Sequence, residues 1–168
     1  MKSMRFNARG RPPTRVLLTG LSGAGKSTVL SRLAELGYRT IDTDYDGFTA
    51  EVRSASGTER LWREDRIQAV LSGTDVDLIF ISGTCRNQVA FYPQFDHIVL
   101  LSAPVPLLIE RLTTRSNNPY GKREGELAET LRFVETVEPA LRAAATLEID
   151  TSAPLDEVVR VILAHVSQ

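Results

Sequence analysis

The sequence is poor in cysteine and has no long run of apolar residues. Its one cysteine, Cys85, has no intrachain partner, which excludes a disulfide framework and a cysteine-based zinc site and fits a reducing compartment. No apolar run reaches the roughly 20 residues that cross a bilayer, so no membrane partner is expected. We therefore expect a cytoplasmic protein.

Charge of one sign is not in excess either. The formal net charge is -1, so the chain has no global attraction to nucleic acid, and any phosphate binding must come from a local arrangement. Lys2, Arg5, Arg9 and Arg11 make the N-terminal stretch basic, but no apolar segment of a secretory signal follows them. We expect residues 1–14 to form a flexible basic tail.

Short apolar runs alternate with amphipathic segments along the rest of the chain. Apolar residues make up 42% of the sequence and charged residues 24%, which is typical of one globular domain, here residues 15–168. The patterns predict strands at 15–19, 38–42, 77–82, 97–102 and 146–150, and helices at 26–36, 105–115, 126–145 and 155–166. A further helix is expected to contain Leu61, Ile67, Val70 and Leu71. This alternation predicts an α/β fold with a parallel sheet covered on both sides.

The segment from Gly20 to Ser27 reads GLSGAGKS and satisfies the pattern GxxxxGKS/T. It lies between a predicted strand and a predicted helix, where its glycines allow successive N–H groups to face one anion at the helix N-terminus. Lys26 is expected to reach the β- and γ-phosphates, and Ser27 to complete Mg²⁺ coordination. The predicted phosphate-binding residues are Gly20, Ser22, Gly23, Ala24, Gly25, Lys26, Ser27 and Thr28. ATP with Mg²⁺ is the expected ligand.

Two aspartates follow the second predicted strand. Asp42 and Asp44 lie at the edge where ligands bind in open parallel sheets. Asp42 is expected to hold a magnesium-bound water, and Asp44 to orient or deprotonate an attacking hydroxyl. His97 and His165 fit no metal-ligand pattern, and we assign them no catalytic role.

These motifs resemble the small P-loop kinases, a group that includes shikimate kinase, gluconate kinase and adenylate kinase. Asp42-Thr-Asp44 is similar to the Asp-x-Asp of shikimate kinases, whose second aspartate meets the acceptor hydroxyl. The segment from Gly83 to Arg86 resembles the one with which these kinases hold the acceptor. The resemblance implies the strand order 2-3-1-4-5 and acceptor binding by Asp44, Gly83 and Arg86. The sequence leaves the oligomeric state open between a monomer and a small homo-oligomer.

The resemblance also implies a lid. The segment from Leu108 to Arg115 is similar to the adenylate kinase helix whose first arginine, here Arg111, lies by the adenine and whose second, here Arg115, contacts phosphates. The lid is then residues 116–125, from which Lys122 or Arg123 closes over the transferred group. This resemblance assigns catalytic roles to Lys26, Asp44, Arg115 and Arg123, and nucleotide binding also to Arg111, Thr151, Ala153 and Pro154.

The acceptor stays open at this stage. Strand three ends in Ser82, where adenylate kinases carry an acidic residue, and neither family's acceptor pattern can be traced across residues 47–72. A kinase acting on a metabolite hydroxyl is favoured, with a nucleoside monophosphate kinase as the alternative. An ATP-binding regulator with slow ATPase activity is a third reading. A GTPase switch is disfavoured because the guanine-reading Asn-Lys-x-Asp motif is absent.

Overall fold

Five runs of mainly branched and apolar residues form the main sheet. The computed structural model describes residues 9–116 and 118–168, so Lys2 and Arg5 of the expected tail lie outside the described residues. The strands of this sheet are β1 (Thr14–Thr19), β2 (Arg39–Asp42), β5 (Leu78–Ser82), β6 (His97–Ser102) and β7 (Leu147–Asp150). A separate hairpin consists of β3 (Thr49–Ser54) and β4 (Gly57–Trp62).

The main sheet is parallel throughout, and its order is β2-β5-β1-β6-β7. Numbered among the five sheet strands alone, this is 2-3-1-4-5, so the expected order is confirmed. The register pairs Asp42 with Ser82 and Ser102 with Asp150. The carboxyl ends of all five strands therefore meet at one edge, and the loops that leave this edge can build a common site.

Helices cover both faces of the sheet. They are α1 (Lys26–Glu35), α2 (Glu64–Leu71), α3 (Val105–Thr114), α4 (Glu126–Thr136), α5 (Glu138–Ala144) and α6 (Leu155–Val166), with a 3₁₀ stretch at Arg86–Gln94. Alternate residues of β1 point to opposite layers, because Val16 and Leu18 pack in one core cluster and Leu17 in another. Among the described residues, none of these helices is long and apolar enough to span a membrane.

The hairpin β3–β4 corrects the sequence-based expectation for residues 49–62. A helix containing Leu61 was expected there, but Leu61 lies in β4 and the helix begins only at Glu64. Every residue of β3 after Thr49 is exposed, so the strand lacks the apolar alternation that identifies a half-buried strand. Phe48 and Trp62, 9% and 3% exposed, anchor the hairpin in the core at its open end.

The helix expected over residues 126–145 is divided in two. α4 ends at Thr136, and α5 begins at Glu138 with Pro139 in its first turn. Proline has no N–H and its ring clashes with the preceding turn, so it is tolerated at the start of a helix and breaks one in the middle. The prediction of one continuous helix over this segment is therefore wrong.

Candidate functional site

The loop between β1 and α1 needs glycine at three of its positions. Gly20, Gly23 and Gly25 have φ of 151°, 87° and 101°, values that residues with a Cβ rarely adopt. A Cβ on Gly20 would also lie 2.3 Å from the carbonyl oxygen of Leu101. The loop ends where α1 starts, and the N–H groups of a helix's first turn have no partner within the helix. The arrangement is an anion-binding helix N-terminus.

Lys26 folds back over this loop. Its Nζ donates to the carbonyl oxygens of Gly20 at 2.5 Å and Leu21 at 3.0 Å. Burial lowers the pKa of Lys26 from 10.5 to about 8, although Asp44 and Asp42 oppose the shift. A partly desolvated cation thus lies where a phosphate on the loop would be neutralised.

The aspartates and Ser27 meet at the edge of the sheet. The hydroxyl of Ser27 donates to Asp42 Oδ2 at 2.8 Å, and the Asp44 N–H donates to Asp42 Oδ1 at 3.1 Å. These are hard oxygen donors, which suit Mg²⁺ when phosphates and water supply its other ligands. Among the described residues no cluster of three or more His, Cys, Asp or Glu side chains could hold a metal without such help. The donor set fits a Mg²⁺ ion bound together with a nucleotide.

The two arginines of α3 differ in their surroundings. Arg111 donates to the carbonyl oxygen of Gly23 and to both oxygens of Thr151, so protein atoms occupy its two terminal nitrogens. Arg115 donates through Nη2 to Ser22 Oγ at 3.2 Å and to Tyr120 O at 3.0 Å. Among the described residues its Nε is buried and has no hydrogen-bond partner, and burial lowers the pKa of Arg115. Arg115 therefore keeps a free donor beside the loop.

Residues of the loop, Asp44 and these two arginines line one cleft of about 410 Å³, whereas Asp42 does not line it. Lys26, Asp44 and Arg115 all line this cleft, and the charges of Asp44 and Arg115 act on Lys26. An apolar wall faces the same cleft and consists of Val29, Ala153, Leu155 and Val158. The cleft therefore offers both a polar place for phosphates and an apolar surface for a flat ring.

Several predicted residues lie away from the cleft. Arg123 is exposed in the expected lid and does not line the cleft, whereas Asn118 of the same segment does; residue 117 is outside the described chain. Pro154 precedes the first residue of α6 and is exposed. Gly20 and Ala24 belong to the loop, but both are buried. The nucleotide-binding and catalytic roles of all these residues stay predictions.

The acceptor residues Gly83 and Arg86 have contacts within the protein. A Cβ on Gly83 would lie 2.7 Å from Thr43 Oγ1 and 2.7 Å from the Trp62 ring, so packing alone requires glycine here. Arg86 forms a two-point ion pair with Glu59 of the hairpin, with distances of 2.7 and 3.1 Å. These contacts link the hairpin to the segment after β5, and acceptor binding by Gly83 and Arg86 stays a prediction.

Sequence reasoning missed three residues of this region. Tyr45 follows Asp44, is 54% exposed and lines the cleft, and its position directly after the aspartate pair is the signal that points to it. Thr84 donates its hydroxyl to Gly20 O, and Glu59 pairs with Arg86. No local pattern marks the last two, because their partners are distant in sequence.

The fold and the loop define a P-loop α/β domain. The sequence profile described as AAA domain matches residues 16–132, and the chain belongs to this family. A nucleotide-binding protein of Sorangium cellulosum is 31% identical over 148 residues, covering 85% of this chain and 40% of the relative. One of Gluconacetobacter diazotrophicus is 32% identical over 149 residues, covering 83% and 38%. The chain thus spans less than half the length of these relatives.

Solved structures with the same fold include small-molecule kinases. A shikimate kinase from Acinetobacter baumannii, in complex with shikimate, has a TM-score of 0.63 at 22% identity, covering 91% of this chain and 94% of its own. A shikimate kinase from Bacteroides thetaiotaomicron gives 0.65 at 18%, covering 92% and 99%. A gluconokinase from Sinorhizobium meliloti gives 0.56 at 21%, covering 92% of each chain. At these identities the likeness shows the fold alone.

Proposed function

We propose that this protein is a Mg²⁺-dependent kinase that transfers the γ-phosphoryl group of ATP to a small-molecule acceptor, most simply a metabolite hydroxyl. The observation that carries the proposal is the cleft in which Lys26, Asp44 and Arg115 lie beside the phosphate loop. A cation that neutralises phosphate, a carboxylate that accepts a proton and a second cation for the transferred group are the parts that phosphoryl transfer requires.

Each residue has a role in this reaction. The loop amides hold the β- and γ-phosphates, and Lys26 leaves the carbonyl oxygens of Gly20 and Leu21 to contact them. Ser27, and Asp42 through a water molecule, would hold Mg²⁺, which would neutralise charge on the phosphates. Asp44 accepts the proton of the acceptor hydroxyl while the hydroxyl oxygen bonds to the γ-phosphorus. The bond between the γ-phosphorus and the oxygen that bridges it to the β-phosphate breaks at the same time. Arg115 stabilises the charge that moves onto that oxygen.

The comparisons support this proposal in two ways. The relatives are named nucleotide-binding proteins, which agrees with a phosphate loop that binds ATP. The structures named shikimate kinase and gluconokinase share the whole fold, which agrees with transfer to a small molecule. The apolar wall of the cleft, with Ala153 and Leu155, is suited to the adenine ring.

Two alternatives make different predictions. A nucleoside monophosphate kinase must bind an acceptor that is already a phosphate, and Arg86 is the cation expected to hold it. Because Arg86 is paired with Glu59, this alternative is less favoured. An ATP-binding regulator with slow hydrolysis fits the relatives' names equally well, and it needs no acceptor at all.

An ATP-consumption screen against fractionated metabolite pools tests the proposal, with mass detection of any phosphorylated product. A kinase yields a product 80 Da heavier than an acceptor, in an amount equal to the ATP consumed. The Lys26→Met variant, purified in parallel, is the control for contaminating kinases. Acceptor-independent hydrolysis as the only activity would favour the regulator, and a phosphorylated nucleoside monophosphate would favour the first alternative.

A further inference from the structure

Two side chains from outside the phosphate loop hold two of its carbonyl groups. Thr151, in the turn after β7, donates its hydroxyl to Ala24 O at 2.6 Å, and Arg111 of α3 donates through Nη1 to Gly23 O at 3.1 Å. Arg111 is joined to Thr151 as well, at 2.9 Å to Oγ1 and 2.7 Å to the carbonyl oxygen. The Thr151 N–H donates to Ser102 O at the end of β6 at 2.8 Å, so the sheet supports the whole arrangement.

Because the peptide group is planar, a contact that fixes a carbonyl group also fixes the direction of the N–H group of the next residue. A trans peptide is planar, so the C=O of one residue and the N–H of the next point in opposite directions, and the described chain has no cis peptide. Fixing Ala24 O therefore fixes the direction of the Gly25 N–H. Fixing Gly23 O does the same for the Ala24 N–H, which donates to Leu21 O at 3.1 Å.

The Gly25 peptide is where such control matters. Gly25 precedes the first residue of α1 and has φ of 101°, and glycine has more backbone freedom than any other residue. A loop that binds phosphate through N–H groups gains affinity when those groups already point at the ligand. Without the contact to Ala24 O, the peptide between Ala24 and Gly25 could rotate and turn its N–H away.

We infer that Arg111 and Thr151 are positioning residues that hold the Ala24–Gly25 peptide with its N–H toward the bound phosphates, and that Arg111 does not itself bind them. The inference rests on the proposed nucleotide binding. The resemblance placed Arg111 beside the adenine, and the inference gives it a role at the phosphate loop, because both of its terminal nitrogens contact protein oxygens. It also means that the turn that begins at Thr151 helps to fix the conformation of the phosphate loop.

Substitution of Thr151 tests the inference, with binding of Mg·ADP measured by calorimetry below the unfolding temperature. Thr151→Val keeps the shape and removes the hydroxyl, and we expect about tenfold weaker ADP binding, the scale of one hydrogen bond to a charged group. Thr151→Ser restores the hydroxyl and should restore affinity. Thr113→Val is the matched control and should bind ADP like wild type, because Thr113 donates to Ile109 O and Glu110 O of its own helix and does not line the cleft.

Arg111 separates positioning from charge. Lysine keeps the charge but cannot reach Gly23 O and both Thr151 oxygens at once, so Arg111→Lys should weaken ADP binding about as much as Thr151→Val does. The double variant should lose no more than about twofold beyond either single one, because both act through one contact system. Near-normal affinity in Arg111→Lys, or losses that multiply in the double variant, would overturn the inference.

Two further outcomes keep the inference separate from the proposed function. Thr151→Val that melts at a lower temperature but binds ADP as tightly as wild type would show a purely structural role and overturn the inference alone. Wild-type protein that fails to bind Mg·ADP or Mg·ATP would instead refute the proposed nucleotide binding, on which the inference depends.

Discussion

Replacing Lys26 with methionine is expected to stabilise the ligand-free protein while it removes nucleotide binding. Burial lowers the pKa of Lys26 from 10.5 to about 8, and at 1.36 kcal/mol per pH unit this corresponds to roughly 3 kcal/mol of unfavourable free energy at neutral pH. Because the side chain is partly exposed, we use about 2 kcal/mol after solvent screening. Methionine keeps most of the aliphatic volume and removes the charge.

The substitution leaves no carbonyl group stranded. Gly20 O still accepts the hydroxyl of Thr84, and Leu21 O still accepts the Ala24 N–H. The net gain should therefore be about 1 to 2 kcal/mol, which raises Tm by roughly 3 to 6 °C in a protein of this size. Saturating Mg·ATP should stabilise wild type, by about 2.7 kcal/mol at one hundred times Kd, and leave Lys26→Met unchanged.

The pH dependence gives the sharper measurement. Because the folded-state pKa is depressed, the unfolded chain binds the proton more tightly, so wild-type stability rises between pH 8 and 10.5 and is lost as pH falls through 8. Urea unfolding of both proteins at pH 7 and pH 9.5 should show the advantage of Lys26→Met shrinking at the higher pH. The control is Lys122→Met, an exposed lysine. A variant less stable than wild type at pH 7, or a gap independent of pH, would refute this reasoning.

Five other predictions concern the chemistry and the fold. Asp44→Asn should lower the transfer rate about 100-fold while ATP affinity stays near normal, and a fully active variant would remove the proton-accepting role. Asp42→Asn should raise the Mg²⁺ concentration needed for half-maximal ATP binding, and an unchanged magnesium titration would contradict its place beside the ion. Arg115→Ala should reduce phosphoryl transfer more than nucleotide binding. Arg123→Ala should also reduce transfer more than binding, because Arg123 is expected to reach the transferred group only when the lid closes. A fully active Arg123→Ala variant would show that Arg123 is not catalytic. Burial and a neighbouring histidine lower the pKa of His97, so stability should fall as pH drops below 6.5. Thermal unfolding at pH 7.5 and 5.5 should show a smaller loss in His97→Gln, and an equal loss would place the acid sensitivity elsewhere.

The parts of the fold that were predictable from the sequence have local signals. The central strands β1, β5 and β6 are short, mostly buried runs, and the loop from Gly20 to Ser27 carries its chemistry in consecutive residues. The adjacency of Ser27 and Asp42 follows from strand order, because β2 and β1 flank β5 and send their carboxyl ends to one edge. Parallel topology thus converts local patterns into a site.

The parts that were missed depend on contacts between distant residues. The hairpin is held by Trp62, whose Nε1 donates to Thr43 Oγ1 and whose ring packs on Gly83, and none of this shows in the exposed residues of β3. Arg86 looked free because Glu59, its partner, is 27 positions away. The sequence-based helix over residues 126–145 ran through Val137 because Pro139 alone does not exclude a helix. Proline is also allowed in the first turn of a new helix, and the structure has one there.

The hydrogen-bond partners of Arg86, Arg111 and Arg115 bear on the kind of acceptor that the site can bind. Both terminal nitrogens of Arg111 contact the phosphate loop or Thr151, and Arg86 is paired with Glu59, whereas within the described part of the chain the buried Nε of Arg115 has no hydrogen-bond partner. Lys26 and Arg115 both lie beside the loop that we propose holds the ATP phosphates. An acceptor with its own phosphate would need further cations, since a dianion is not desolvated without them. An acceptor presenting a neutral hydroxyl to Asp44 needs none, so the charge distribution favours the hydroxyl.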